Sequence, residues 1–292
     1  MIHSMTGFGE AQTESGDQAY SVEIRSVNNR YLKANIKLPD DLAFLEPDFE
    51  RVVRAHMQRG TITVRLHART LSASGAPELN LAAIRHYIHQ LSELLTDQHV
   101  SLDLATLALL PGVSQPHELS EDERQAAMGV LTPLLEQAIR RMQEMRAAEG
   151  RALADDLRTH AAQIRTHLEQ IRGRAPQVIV EYRDRLHARV QQLLVGSGAS
   201  LAADDVAREV AVYADRSDIS EEISRLSGHL EQMEKYVKSP EPAGRKLEFL
   251  TQEMMREANT MGSKTGDPQI CAAIIEIKSA VDRMKEQVLN VE

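Results

Sequence analysis

A single cysteine, Cys271, stands among the 292 residues. That excludes a disulfide scaffold and every cysteine-rich zinc site. Tryptophan is absent and aromatics make up 3% of the chain, which argues against a broad base-stacking platform. No apolar run approaches the roughly 18 residues of a membrane span. The opening MIHSMTGFGE carries neither the basic start nor the apolar stretch of a signal peptide, so a reducing cytoplasm is the expected setting. HExxH, Walker A and GxSxG are missing. Basic residues are the minority, 34 against 43 acidic, for a net charge of −9. An acidic chain does not coat nucleic acid indiscriminately, although a local basic surface still binds it. The imbalance is uneven. Basic against acidic side chains number nine and nine in residues 1–72, two and nine in 73–139, eleven and seven in 140–199, and twelve and eighteen in 200–292.

What is present divides the chain into an α/β N-terminal domain (1–72), a helical middle region (73–199) and a helical C-terminal domain (200–292). In the first, Tyr20–Val27 and Tyr31–Leu38 alternate polar and apolar residues as strands do. Asn28-Asn29 between them predicts a tight hairpin, since Asn tolerates φ > 0. Leu42–Gln58 has helical spacing with Gly60 as its cap, and Thr61–His67 returns to strand, giving the order β-β-β-α-β. LSASGAP (71–77) reads as a linker. Helices are expected over 80–97, 121–148, 150–172, 176–195, 202–216, 219–238, 244–260 and 268–290. The breaks between them fall at Pro111-Gly112, Gly173, Gly196–Gly198, Pro240/Pro242 and Gly262–Gly266. Asp267-Pro268 supplies an acidic cap and a proline at the first helical position. The helices of 121–195 are expected to form a long antiparallel hairpin. The fold class is therefore α+β, a small mixed domain followed by long helices.

The densest chemistry lies in the last third. Glu222, Arg225 and His229 fall on one helix face at i, i+3 and i+7. Glu253 and Glu257 sit at i, i+4 beside the apolar stripe Leu247, Leu250, Met254, Ala258 and Met261 of the next helix, flanked by Arg256 and Asn259. The short Ser239–Pro242 turn makes the two helices antiparallel neighbours. Carboxylates with one imidazole suit Mg²⁺ or Mn²⁺. His229 can equally serve as a general base or acid toward a ribose 2′-OH without metal. Arg225 and Arg256 suit bidentate phosphate binding. Solvated Glu–Arg pairs on a helix surface are the plainer alternative. GSKTGD (262–267) imitates part of a phosphate loop without its spacing, and Lys264 offers an ammonium just before a helix N-terminus.

A second group, Arg25, Asn28, Asn29, Arg30 and Tyr31, combines cations, amides and a ring that suit RNA phosphate and an unstacked base. A third runs along 140–174. Arg151, Arg158, Arg165 and Arg172 recur every seven residues, as either a backbone-tracking face or a solvated stripe pairing with Asp155, Asp156 and Glu169.

MIHSMTGFG with EIRSVNNRYL (23–32), MRAAEGRALADDL (145–157), DDVAREVAVYADRSDISEEISRLSGHL (204–230), GRKLEFLTQEMMREANTMGSK (244–264) and EIKSAVDRMKEQVLNVE (276–292) together resemble the YicC-like family of bacteria. Residues 73–139 resemble it least. The resemblance implies a metal-dependent endoribonuclease acting on single-stranded RNA, with an α/β N-terminal and a helical C-terminal domain. It also implies a homo-hexameric ring or clamp around RNA. It places active residues in the segments of Glu222, Arg225, His229, Glu253, Arg256 and Glu257. The expectation is Mn²⁺ or Mg²⁺ held by Glu222, Glu253 and Glu257. His229, Glu253, Arg225 and Arg256 would be catalytic, and Arg25, Asn29, Arg30 and Lys264 would bind RNA. The rival from another class is a non-catalytic RNA-binding adaptor that delivers RNA to a separate nuclease.

Overall fold

A computed structural model describes residues 2–71, 79–92, 103–113, 119–194, 203–239 and 241–292. Chain contacts divide it into two compact units, Thr6–Met145 and Met1–Met5 with Arg146–Glu292. The architecture is α+β: a four-stranded mixed sheet with helices, then a long helical region.

In the first unit, strands β1 (Gly7–Ser15), β2 (Gln18–Val27), β3 (Leu32–Lys37) and β4 (Gly60–Thr70) form a sheet of order β1-β2-β4-β3. The sequential order β-β-β-α-β holds, with a 3₁₀ turn at Asp40–Leu45 leading into helix α1 (Glu46–His56). The pairing departs from expectation. β2 and β3 do not form a hairpin at Asn28-Asn29, because β4 lies between them, antiparallel to β2 and parallel to β3. Neither Asn has the positive φ that a tight hairpin turn demands. The tight hairpin is β1–β2, where Ser15 pairs with Gln18 across Gly16-Asp17 and Gly16 has φ +57°. β4 takes the inner position because Ile62, Val64 and Leu66 alternate inward and are buried.

Gly60 is not the cap of α1. The helix ends at His56, Met57 is extended, and Gly60 opens β4 with φ +103°. A Cβ there would stand 3.2 Å from the Val27 carbonyl oxygen, so glycine is required by the conformation and tightly bounded in space. One sheet face buries Ala11, Val22, Ile24, Ile62 and Val64 against Phe49 and Val53 of α1 and Leu131, Leu135, Ile139 and Met142. Those last four lie on helix α4 (Glu121–Leu194), which follows the short helices α2 (Leu81–Ser92) and α3 (Leu104–Ala108).

Helix α4 is one continuous 74-residue helix rather than the expected three. An isolated glycine costs a helix only about 1 kcal/mol, so Gly173 alone does not end one. Pro133 and Pro176 each leave one carbonyl without its helical donor. The buried stripe continues regardless: Ala154, Leu157, Ala161, Ile164, Leu168 and Ile171 recur at alternating steps of three and four. The arginines of 140–174 mostly find partners. Arg158 lies 2.8 Å from Asp155 and 3.3 Å from Glu234, and Arg172 lies 2.6 Å from Glu169. The solvated-stripe reading fits these two arginines.

The second unit packs that stripe against α6 (Ser220–Lys238), α7 (Gly244–Lys264) and α8 (Pro268–Val288), with α5 (Ala203–Arg216) touching α4 through stacked Tyr182 and Tyr213 rings 3.7 Å apart. Asp267 caps α8 as expected, accepting from the Gln269 and Ile270 amides at 3.1 Å. It also accepts from Arg174 at 2.8 Å, and that bond holds its carboxyl below the usual range despite burial. The N-terminal segment lies in the same unit. Ser4 pairs with Val291, the Ser4 amide donates to the Arg146 carbonyl (3.0 Å) and the Met5 amide to that of Asn290 (2.8 Å). The linker and the breaks at 196–198 and Pro240 lie outside the described residues.

Candidate active site

Helix α6 begins with Glu221 and Glu222 and ends with Lys235 and Lys238, the charge order its dipole favours. Ile223, Leu226, Leu230, Met233 and Val237 bury its inner face, and Leu247, Leu250, Met254, Ala258 and Met261 bury that of α7. Between these stripes and solvent runs the seam of the two helices. The contacts along it show an antiparallel register. Lys264 Nζ lies 2.8 Å from Glu222 Oε1, Arg225 lies 3.7 Å from Glu257, and Lys246 Nζ stands 5.4 Å over the Tyr236 ring.

At the middle of that seam, His229 of α6 meets Glu253 and Glu257 of α7. Each offers a ligand atom, and the three atoms lie within 4.8 Å of one another. Glu257 is buried, 3% exposed, while His229 and Glu253 are half-buried. His229 Nε2 is buried and makes no hydrogen bond. This nitrogen lacks the partner that a satisfied core histidine has, and the three residues together could hold a metal ion. The donor set of one nitrogen and carboxylate oxygens suits a hard or borderline divalent ion. Two guanidinium groups rim it from the solvent side. Arg225 contacts Glu257 and Glu221, and Arg256, 71% exposed, lies 3.6 Å from Glu253.

Glu222 stands apart from this group. It lies seven residues from His229, about 10 Å along the helix axis. Its Oε1 is taken by Lys264, while its buried Oε2 has no hydrogen-bond partner. Lys264 lies four residues before the start of α8, as expected, but on a helix rather than in a break between helices. α7 continues through Gly262 and Ser263 and Lys264 is its last residue, donating also to the Asp218 carbonyl at 3.0 Å. The bond that Lys264 donates to Glu222 holds the ammonium pKa above its usual value. Sequence reasoning missed this pairing and the contact of Arg225 with Glu221. The latter was signalled by its i, i+4 spacing.

The remaining candidates belong to the other unit. Arg25 lies over the Phe8 ring at 5.3 Å and 3.9 Å from Glu23. Asn29 donates to Thr61 Oγ1 at 2.9 Å, which fixes the end of β2 to β4. Arg30 covers Tyr31, whose ring is 69% exposed.

Comparison with known proteins bears on both units. Residues 2–155 match the model of the N-terminal region of YicC-like endoribonucleases, and residues 171–292 match that of their C-terminal region. The chain is 32% identical over 298 residues to a probable endoribonuclease YicC of Clostridioides difficile strain 630, covering all of both chains. It is 31% identical over 302 residues to the probable endoribonuclease YicC of Haemophilus influenzae Rd, again over both full lengths. With matches along its whole length, the chain belongs to the YicC-like endoribonuclease family.

Proposed function

We propose that this protein is an endoribonuclease that cleaves RNA at the α6–α7 seam, with Mn²⁺ or Mg²⁺ held by His229, Glu253 and Glu257. The observation that carries the reading is the group of His229, Glu253 and Glu257, whose ligand atoms lie within 4.8 Å of one another, beside a buried His229 Nε2 that has no hydrogen-bond partner. Bound there, such an ion supplies Lewis acidity toward a phosphodiester and the water that attacks it. His229 would be the nitrogen ligand of that ion, the role the metal reading prefers over direct proton transfer. Glu257 is fixed by burial, and Glu253, nearer solvent, can also accept a hydrogen bond from the incoming group. Arg225 and Arg256 swing from their carboxylate partners to hold the scissile phosphate. The Glu222–Lys264 pair supports the seam from below, with Lys264 within reach of a neighbouring phosphate. Arg25, Asn29 and Arg30 bind the strand on the N-terminal unit. The homo-hexameric ring or clamp around RNA belongs to the same proposal, and light scattering on the purified protein tests it. Among the described residues no helix is long and apolar enough to cross a membrane.

One gel tests the proposal. End-labelled hairpin RNA with single-stranded flanks is incubated with wild type, His229→Ala and Glu253→Gln, in Mn²⁺, Mg²⁺ or EDTA. Cutting is expected only with metal, and each variant should lose at least about 100-fold, since even residues behind metal ligands cost 10–100-fold. Cutting that survives chelator and both variants removes the seam from the mechanism. RNA that is shifted but intact in every lane favours the adaptor.

A further inference from the structure

We propose that Phe249 is the nucleobase-stacking residue of this site, so that single-stranded RNA runs along the outer edge of the α6–α7 seam. The inference rests on the endoribonuclease reading and extends it to a base-binding subsite. The chain has four phenylalanines, and at 59% exposure Phe249 is the most open of them, whereas Phe49 is fully buried. An amphipathic helix with a complete inner stripe gains nothing from a phenylalanine on its outer face. Phe249 stands one helical turn from Glu253, about 6 Å along the axis and about 40° around it. That places the ring within one unstacked nucleotide of the His229–Glu253–Glu257 group.

Its neighbours select the occupant. The exposed positions around it on α7 include Arg245 and Lys246 a turn before, Gln252, and Arg256 two turns after. A lone ring among arginines is too small and too polar a patch for a protein partner. Cations interleaved with an aromatic face are what a single strand requires, phosphate beside base beside phosphate. The nearest other ring on the seam, Tyr236, is already engaged. Its hydroxyl accepts from Gln232 at 2.9 Å and Lys246 lies over its face. Phe249 is thus the open ring next to the carboxylate group.

The test measures binding of end-labelled single-stranded RNA by fluorescence anisotropy in the full-length Glu253→Gln background, which prevents cutting during the titration. Phe249→Ala is expected to weaken binding about tenfold, within the range for loss of one stacked base, and Phe249→Trp to restore it. Duplex RNA, whose bases are unavailable, should respond to neither. Single abasic substitutions should identify one nucleotide whose loss costs the parent protein affinity and costs the Ala variant none. Phe249→Ala binding as tightly as the parent overturns the proposal, as does Phe249→Leu matching Trp. A changed oligomer mass in Phe249→Ala would assign the ring to contacts between copies and also overturn it. If the wild-type protein neither binds nor cuts RNA, the endoribonuclease reading itself fails, an outcome distinct from an intact enzyme indifferent to Phe249.

Discussion

Replacing glycine by alanine within helix α4 should give opposite signs at different positions. Gly129 and Gly173 are helical, and an added Cβ meets nothing within 4 Å at either. Alanine there is worth up to about 1 kcal/mol in helix propensity. Gly150 lies in the same helix and earns the same gain, but its Cβ would sit 2.3 Å from the Ile2 carbonyl oxygen and 2.8 Å from His3 Cα. Both are backbone atoms, so relief requires the whole segment to move by more than 1 Å to reach the 3.4 Å of an ordinary contact. The segment is tied down on both sides by the bonds of Ser4 to Arg146, Met5 to Asn290 and Glu292 to His3, and Ile2 is buried. A local shift of this kind costs about 1–3 kcal/mol. Complete detachment exposes Ile2 at about 1.5–3 kcal/mol and forfeits backbone bonds worth about 1 kcal/mol each. Taking the cheaper route, and net of the helix gain, Gly150→Ala should lose up to about 2 kcal/mol, or up to about 6 °C in melting temperature for a unit of this size. Thermal melts of the three variants beside wild type decide it. Gly150→Ala melting at or above wild type would refute the close approach, whatever the other two do.

The same assay reaches three other sites. Glu257→Leu should melt above wild type in EDTA, since an apolar residue replaces a buried charge, and should lose the stabilisation that Mn²⁺ gives wild type, about 2.7 kcal/mol at a hundredfold excess over Kd. Asp267→Asn keeps a capping acceptor but loses the charge facing Arg174. Because Arg174 holds the Asp267 carboxyl low, its contribution is complete above the unfolded value near 4 and is lost as pH falls through the folded value, so the gap to wild type should be wide at pH 7 and close in acid. Lys264→Met strands the buried Glu222 and should destabilise, and adding Glu222→Gln should recover part of the loss, a non-additivity read in a double-mutant cycle.

Local pattern carried much of the architecture and long-range competition decided the rest. The alternation in 20–27 and 61–67 marked two strands, and Asp267-Pro268 marked the start of α8, because each signal is complete within a few residues. The sheet order was not local. Asn28-Asn29 has the composition of a hairpin, but the partner of β2 is set by which strand best fills its inner face, and β4 with Ile62, Val64 and Leu66 wins. The continuity of α4 was hidden because Gly173 looks like a break, while the compensating stripe from Ala154 to Ile171 shows only when the whole span is read as one repeat. At the site, spacing correctly placed His229, Glu253 and Glu257 on facing helices. Spacing already put Glu222 two turns from His229, but could not show that it is bound to Lys264, because that depends on the register of the helix pair. Phe249 escaped notice because one phenylalanine in a helix ordinarily reads as core.

The distribution of charge along the seam favours the proposed ion at its centre rather than at either end. At the lower end Glu222 already has an ammonium at 2.8 Å, and at the upper end Tyr236 has Lys246. In the middle two carboxylates and an imidazole converge within 4.8 Å. Like charges at that distance repel by roughly 3.5 kcal/mol at an effective dielectric of about 20. Arg225 and Arg256 offset part of this, but both lie toward solvent, where screening weakens them and where they remain free to turn to a phosphate. Neither guanidinium pairs with His229 Nε2, which has no hydrogen-bond partner. A side-chain cation between the three groups would settle the helix pair more firmly and would fill the place where chemistry is proposed. Keeping it out leaves the buried core beneath, Leu226, Leu230, Leu250 and Met254, to hold the two helices in register against that repulsion.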